Sequence, residues 1–145
     1  MPSTALYNFT QLKFEPVTNP DLARQIAVLL KPSTTFVRGE ILGEISASPG
    51  VYAKFAPTAN DGTQIPKGLL AYSIETDASG FGAVSGAFPA VTDRSFPLWV
   101  RGDFDCALVA TAMGDSGALL ASALAVPGFG ALEQGTAAAG TFRIG

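Results

Sequence analysis

The chain has 145 residues and a mass of 14.9 kDa, a size that suits a single domain with its own core. It contains no histidine, which excludes histidine-dependent catalytic triads and imidazole metal ligands, and its one cysteine, Cys106, excludes an internal disulfide. The net charge is −3, which disfavours a general nucleic-acid footprint, and no apolar run approaches the roughly 20 residues of a membrane helix. We therefore expect neither a nucleic-acid nor a membrane partner. Cys106 is predicted to be a small buried hydrophobic residue.

The N-terminal part of the chain is ambiguous in two places. Residues Tyr7 to Glu15 alternate loosely between polar and apolar side chains, which fits either an ordinary first strand or an extended arm that adds to the sheet edge of another protein. Residues Asn19 to Leu30 have the cap and the spacing of a helix, while Arg24 to Leu29 also alternate like a strand. No basic segment followed by an apolar one opens the chain, so no signal peptide is predicted and synthesis in a cytosol is expected.

The middle of the chain predicts a β-hairpin. The 16 glycines and 10 prolines are spread along the sequence, which favours short strands and turns over long helices. Arg38 to Ile45 reads as a glycine-punctuated strand, and Ser48 to Gly50 as a turn in which proline presets one backbone angle and glycine supplies a positive φ. Val51 to Phe55 then runs back as the second strand of the hairpin.

A second apolar strand follows the next turn. Asn60 to Gly62 predicts that turn, and Leu69 to Ile74 is a nearly continuous apolar run, as expected for one strand buried on both faces. Pro66 is expected to precede the ladder, because proline cannot donate a hydrogen bond to it. Residues Asp77 to Asp93 contain few large side chains and are predicted to form a long loop.

The last part of the chain predicts two strands and a short helix. Phe96 to Phe104 has strand character, and Trp99 within it is expected to anchor the core. Asp115 is predicted to cap a helix from Ser116 to Ala125 that Pro127-Gly128 ends. A small and polar stretch from Ala131 leads to a last strand over Gly140 to Ile144.

Short motifs that suggest chemistry lack the partners that the chemistry needs. Gly80 to Gly86 has neither the spacing nor the lysine of a phosphate-binding loop, and Asn60 to Thr63 begins like a calcium loop without the distal glutamate. Ser116 lies in a Gly-Asp-Ser-Gly motif like that of chymotrypsin-like proteases, which requires a histidine. We therefore predict no catalytic, cofactor-binding or metal-binding residue, and no enzyme.

Two pairs of carboxylates are candidates for acid–base chemistry by their spacing. Glu40 and Glu44 are four residues apart, about 13 Å in an extended strand, which is too far to share a proton. Asp103 and Asp105 lie on the same side of a strand and are close enough to approach each other or a cation. Acid–base work needs two carboxylates whose surroundings separate their pKa values, and no residue in the sequence supplies that difference. Both pairs are predicted to be solvated.

Four blocks carry a family resemblance. They are RGEILG over Arg38–Gly43, YAKF over Tyr52–Phe55, DGTQIPKGLLA over Asp61–Ala71 and VRGDFDCAL over Val100–Leu108. In their order and spacing they resemble the tailed-bacteriophage head decoration protein family, which is typified by the decoration protein D of phage lambda. The resemblance covers about residues 24–108, more than half of the chain.

The resemblance implies a fold and an assembly. The fold is a β-clip, a bent two-stranded ribbon with a small helical part, so the expected fold class is mainly β with a small α part. An extended N-terminal arm (residues 1–20) would precede a single β-rich decoration domain (residues 21–145), and Arg24 to Leu29 would be a strand rather than a helix. Family members form homotrimers over three-fold sites of the expanded capsid, where their N-terminal segment adds β structure to the major capsid protein.

The function that the resemblance implies is that of a capsid decoration, or cement, protein. Such a protein is made in the host cytoplasm, lies on the outer surface of the virion, and stabilises the head against internal DNA pressure without catalysis or cofactor. Expected capsid contacts in the arm are Leu6, Tyr7, Asn8 and Phe9. Residues expected to shape the fold are Gly39, Gly43, Gly68, Leu70, Trp99, Gly102 and Phe104.

The alternative interpretation is a tail or baseplate accessory protein or a carbohydrate-binding structural module. Exposed aromatic residues between Phe81 and Phe96 would favour it.

Overall fold

The computed structural model describes residues 23–84 and 92–145. In this part of the chain, short strands dominate and two helices lie near the C-terminal end, which confirms a mainly β fold with a small α part. The elements in chain order are β1 (Arg24–Leu30), β2 (Thr35–Phe36), β3 (Ile41–Glu44), β4 (Val51–Lys54), β5 (Gly68–Leu70), β6 (Ile74–Thr76), β7 (Gly82–Val84), β8 (Thr92–Asp93), β9 (Ser95–Asp105), α1 (Cys106–Met113), α2 (Ala118–Leu124), β10 (Gly130–Thr136) and β11 (Ala139–Ile144).

The larger of two sheets closes on itself through β9. Its strand order is β1-β4-β3-β5-β9-β11-β10, and β1 pairs with β9 as well as with β4. The first half of β9 lies between β1 and β5, so that Gln25 and Leu69 are both opposite Trp99. The second half pairs with β11, where Phe104 is opposite Phe142. Strands β1, β4, β3, β5 and β9 therefore form a ring, in which the β1–β4 pair is parallel and the other pairs are antiparallel.

The ring strands are covered on both faces. Successive side chains of a strand point to opposite faces, so neighbouring residues of β3, β5 and β9 enter two different clusters of buried side chains. The cluster that includes the helices and β11 contains Ile41, Leu69 and Trp99, and the cluster that includes the smaller sheet contains Leu42, Leu70 and Leu98. The smaller sheet has the order β2-β6-β7-β8.

Several local predictions are confirmed. Arg24–Leu30 is a strand, and β3 and β4 form the predicted hairpin, with Gly43 opposite Ala53. The turn between them is closed by a 3.0 Å hydrogen bond from the Val51 amide to the Ser48 carbonyl. Pro66 precedes β5, as expected for a residue without an amide proton.

The predicted single strand from Leu69 to Ile74 is wrong. The chain bends at Ala71–Ser73, so β5 ends at Leu70 in the larger sheet and β6 begins at Ile74 in the smaller one. At the bend, the Ala71 amide donates to the Pro97 carbonyl at 3.2 Å. A continuous apolar run is compatible with either arrangement, because both pieces are buried; the partner strands decide where it breaks.

The predicted long loop from Asp77 to Asp93 is also wrong where the structure describes it. Strand β7 follows β6 in a hairpin, with Thr76 opposite Gly82, and β8 pairs with β7. The Asp77 carboxylate closes that hairpin by accepting hydrogen bonds from the backbone amides of Ser79 and Phe81. Small side chains weaken the apolar pattern of a strand, although they do not prevent its pairing.

The C-terminal segment differs most from the prediction. Helix α1 was not predicted; Asp105 caps it, with its side chain accepting from the amides of Ala107 and Leu108. The second helix spans Ala118–Leu124, so it begins two residues later than predicted and its N-cap residue is Gly117 rather than Asp115. The Asp115 carboxylate still accepts hydrogen bonds from the Gly117 and Leu119 amides ahead of and within the first turn. Beyond the helices, β10 and β11 form a hairpin in place of a polar stretch and one strand.

Candidate interaction surface

The residues expected to shape the fold lie in and around the ring. Leu70, Trp99 and Phe104 are buried, and the Phe104 ring centroid is 6.4 Å from that of Trp99 and 5.5 Å from that of Phe142. At Gly68, an added Cβ atom would lie 2.3 Å from the Trp99 carbonyl oxygen, so a side chain is sterically excluded there. Gly102 has a φ of +140°, a conformation that favours glycine. Gly39 lies just before β3, and Gly43 lies within it, where an added Cβ atom would be 2.7 Å from the Ile65 carbonyl oxygen.

The expected capsid contacts Leu6, Tyr7, Asn8 and Phe9, and the rest of the predicted arm, lie outside the described residues. The arm leads toward Ala23, whose Cα would be 3.2 Å from a Cβ added at Gly102. The described domain therefore receives the N-terminal segment at the side of β9, close to the end of β11.

The candidate carboxylates are each engaged in structural contacts. Asp103 receives two hydrogen bonds from the Arg143 guanidinium, at 2.6 and 3.0 Å, across the β9–β11 pair, while Asp105 caps α1. The bonds from Arg143 hold the pKa of the Asp103 carboxyl below its ordinary value. Arg143 also lies 3.4 Å from the Glu133 carboxylate. This arrangement ties β9, β10 and β11 together, and Glu133 adds a smaller contribution that also lowers the pKa of Asp103.

Glu40 is a buried carboxylate in the loop before β3. It accepts a hydrogen bond from the Val37 amide, and its other oxygen is 3.8 Å from the Lys54 ammonium group. Burial raises the pKa of this carboxyl above its ordinary value, and both contacts oppose that rise. Glu44 instead accepts from the Gly50 amide at 2.8 Å, so the two glutamates have separate partners.

The remaining motif residues also have structural roles. The Asp61 carboxylate accepts from the amide and the hydroxyl of Thr63 at 3.1 and 2.6 Å, which holds the turn. Cys106 is buried, as predicted, and burial raises the pKa of its thiol to about 11, so the thiol is protonated at neutral pH. Ser116 lies between the two helices. Within residues 23–84 and 92–145, no group of three or more metal-ligating side chains is found.

Two sheet edges are open in the described part of the chain. Strand β4 pairs only with Leu29 and Leu30 of β1, which leaves Arg24 to Val28 without a neighbour on that side. Strand β10 pairs with β11 alone, and its residues from Ala131 to Thr136 are exposed. Unpaired edges of this kind offer amide and carbonyl groups to another chain.

A basic groove surrounds the last described residue, Gly145. Its apolar part is a cavity of about 230 Å³ between Ile65, Val126 and Phe129, with Lys67 at the rim. A smaller depression of about 80 Å³ adjoins it and is lined by Arg101 and Arg143. These residues are not recognisable as a site in the sequence, since they come from separate segments and only the strand pairing brings them together.

Comparison of the chain with protein-family models, with curated proteins and with solved structures found no match. In the described part of the chain, neither helix by itself has the length and apolar character needed to cross a membrane. The bent pair α1 and α2 meets that test jointly, by length and composition only.

Proposed function

We propose that the protein is a capsid decoration protein that binds an expanded phage head and stabilises it without catalysis. The observation that carries the proposal is the set of blocks that resemble the tailed-bacteriophage head decoration family. In the structure they fall on the ring and at its junctions: Arg38–Gly43 leads into β3, Tyr52–Phe55 covers most of β4, Asp61–Ala71 contains β5, and Val100–Leu108 covers the end of β9. Blocks that are dispersed in the sequence thus contribute to one structural unit.

The open edge of β1 supports a role for the N-terminal segment. Residues 1–20 lie ahead of this strand in the sequence, and the loose polar and apolar alternation from Tyr7 to Glu15 fits a strand-adding arm. Leu6, Tyr7, Asn8 and Phe9 are the capsid contacts that we propose within it. In the proposal, this arm pairs with the major capsid protein while the β-rich domain, arranged as a β-clip, remains outside the shell. The protein acts as a homotrimer at three-fold positions of the lattice.

The physical basis of the stabilisation is linkage. A ligand that binds the expanded, assembled lattice and not the separated subunits stabilises the lattice by mass action. Three linked arms make the second and third contacts intramolecular, so weak single contacts give high avidity. Neither step requires a titrating catalytic group, and the chain has no histidine.

Co-sedimentation with expanded heads of the phage that encodes the chain tests the proposal. The full chain should pellet with the heads and saturate at a fixed ratio to the capsid protein. Replacing Leu6, Tyr7, Asn8 and Phe9 together by alanine should abolish pelleting, whereas the control Leu108→Ala, on an exposed position of α1, should not. Unchanged pelleting of the arm variant would contradict the arm mechanism, and failure of the full chain to bind would contradict the function.

One observation favours the carbohydrate-binding alternative. The Phe81 ring is 39% exposed and lies beside Glu75 in a depression of about 230 Å³. An exposed ring next to hydrogen-bonding groups is a common arrangement for orienting a ligand. The Arg94 guanidinium, however, lies over this ring at 5.6 Å from its centroid and covers part of it. Binding on a glycan array that Phe81→Ala removes would support this second function.

A further inference from the structure

A pair of like charges that the fold does not explain lies at the edge of the basic groove, and one member of the pair, Arg101, lines it. In the β1–β9 pair, Arg24 lies directly opposite Arg101, and both side chains are exposed. Like charges at directly opposed positions of an antiparallel pair destabilise it. Among the described residues, no carboxylate forms an ion pair with either arginine. The nearby carboxylates of Asp103 and Glu133 both contact Arg143 instead.

The backbone at this point is irregular. The pairing of β1 with β9 shifts register between Arg24 and Gln25, since Gln25 is opposite Trp99 and Val100 is left over. Such a bulge bends a strand and re-aims its side chains, and bulges are frequent beside binding sites. Gly102, with its φ of +140°, follows immediately. The register shift therefore lies at the position where the two arginines meet.

An apolar depression adjoins these cations. Ile65 is 46% exposed on its wall, and the cavity of about 230 Å³ also contacts Pro127 and Phe129. Lys67, on the rim, forms no ion pair with a described carboxylate. The volume suits one aliphatic side chain better than an extended ligand, and Lys67 on its rim and Arg101 in the adjoining depression suit carboxylates.

We propose that the basic groove binds a protein segment in which an apolar side chain is flanked by carboxylates. The apolar side chain enters the depression beside Ile65, and the carboxylates neutralise Arg24, Arg101 and Lys67. Charge complementarity selects this partner: the chain as a whole carries −3, so a locally positive surface on it attracts acidic segments while the rest repels a polyanion such as DNA. The surface is defined by residues from Arg24 onward, and the proposal does not depend on the capsid function.

The test uses the full chain and the acetylated, amidated pentapeptide Glu-Glu-Leu-Glu-Glu in an amide-shift titration by NMR. We expect shifts around Ile65, Lys67 and Arg101, and weaker binding as salt is raised. The peptides Gln-Gln-Leu-Gln-Gln and Glu-Glu-Gly-Glu-Glu should bind more weakly, because each lacks one of the two features. Equal binding of the glutamine peptide, or no shifts in the groove, would overturn the proposal.

Two single variants separate binding from folding. Arg101→Gln and Arg24→Gln should each weaken the pentapeptide by about fivefold, as expected for one exposed ion pair. Each should also leave the thermal midpoint unchanged or raise it, because the repulsion is relieved. The control Arg94→Gln, in the bend between β8 and β9, should bind normally. If the groove variants bind the peptide as the parent does, or melt at clearly lower temperature, the arginines serve the fold and the proposal is wrong.

Discussion

Replacing Phe104 by alanine tests whether the aromatic group at the centre of the fold joins its two parts. Phe104 lies on the second half of β9, is fully buried, and contacts Trp99 of the ring and Phe142 of the C-terminal hairpin. Truncation of a buried phenylalanine to alanine costs about 3–5 kcal/mol, which includes the cavity that remains. A domain of this kind has a total stability of about 5–15 kcal/mol, so the variant should fold with a much reduced margin.

The assay is equilibrium urea unfolding followed by Trp99 fluorescence and, independently, by circular dichroism. At this chain length the loss corresponds to a thermal midpoint lower by about 6–20 °C. The control Leu132→Ala removes a side chain that is 42% exposed on β10 and should change stability by less than about 0.5 kcal/mol. A cost below about 1 kcal/mol for Phe104→Ala would refute the reasoning, since no enclosed phenylalanine is removed so cheaply. Two separate transitions would show that the hairpin and the ring unfold independently.

Three further predictions concern single side chains. Gly68→Ala should destabilise the protein by about 1–3 kcal/mol in urea unfolding, because the added carbon meets the Trp99 carbonyl. Because the pKa of Asp103 is lowered in the folded state, its ionised carboxylate stabilises the fold above the ordinary carboxyl pKa of 3.8, and this contribution is lost as the pH falls through the lowered pKa. Asp103→Asn should remove the contribution, so the free energy of unfolding of the variant should vary less with pH on the acid side. Glu40 behaves in the opposite way, because its raised pKa means that the folded state holds the proton more tightly. Stability should therefore fall as the pH rises from 4.5 through the raised value, and Glu40→Gln should remove that slope and stabilise the protein at pH 7.

Each of these variants has its own control. Gly68→Val serves as the graded comparison for Gly68→Ala, because its larger side chain meets the same Trp99 carbonyl; an equal or smaller loss for valine would contradict the steric reason given for Gly68. Arg143→Gln should abolish the same acid-side contribution, because the Arg143 guanidinium is the main cause of the lowered pKa of Asp103. If the contribution persists in this variant, that cause is wrong. A lower stability of Glu40→Gln at pH 7 would show that the contact with Lys54 outweighs the cost of burying the charge.

The sequence was sufficient for local structure where a turn and its flanking strands lie close together. Ser48-Pro49-Gly50 and the apolar residues on both sides of it predict the β3–β4 hairpin, because the signals for the turn and for the pairing are adjacent in the chain. The run from Leu69 to Ile74 was interpreted wrongly for the complementary reason. Its two halves pair with strands from distant segments, and hydrophobic periodicity carries no information about which distant strand is the partner.

The C-terminal hairpin shows the same limit. Strand β10 has the sequence GALEQGT, which neither alternates strongly nor contains a β-branched residue before Thr136. Its partner β11 contains Phe142 and Ile144, which are buried and supply the apolar anchor that β10 lacks. Strand formation here follows from tertiary pairing with an anchored neighbour, and β propensity alone does not reveal it.

The basic groove was missed because composition averages over the whole surface. A net charge of −3 argues correctly against a general polyanion-binding protein, yet it does not describe any one face. Arg24 and Arg101 are far apart in the chain and become neighbours only through the β1–β9 pairing, and Lys67 reaches the same groove from the segment before β5. Recognition depends on the local arrangement of charge. In a sparsely charged chain, the few cations that the fold brings together therefore determine which partner binds more than the net charge does. Removing one of these cations should therefore weaken binding of the acidic segment clearly, although it changes the net charge of the chain by only one unit.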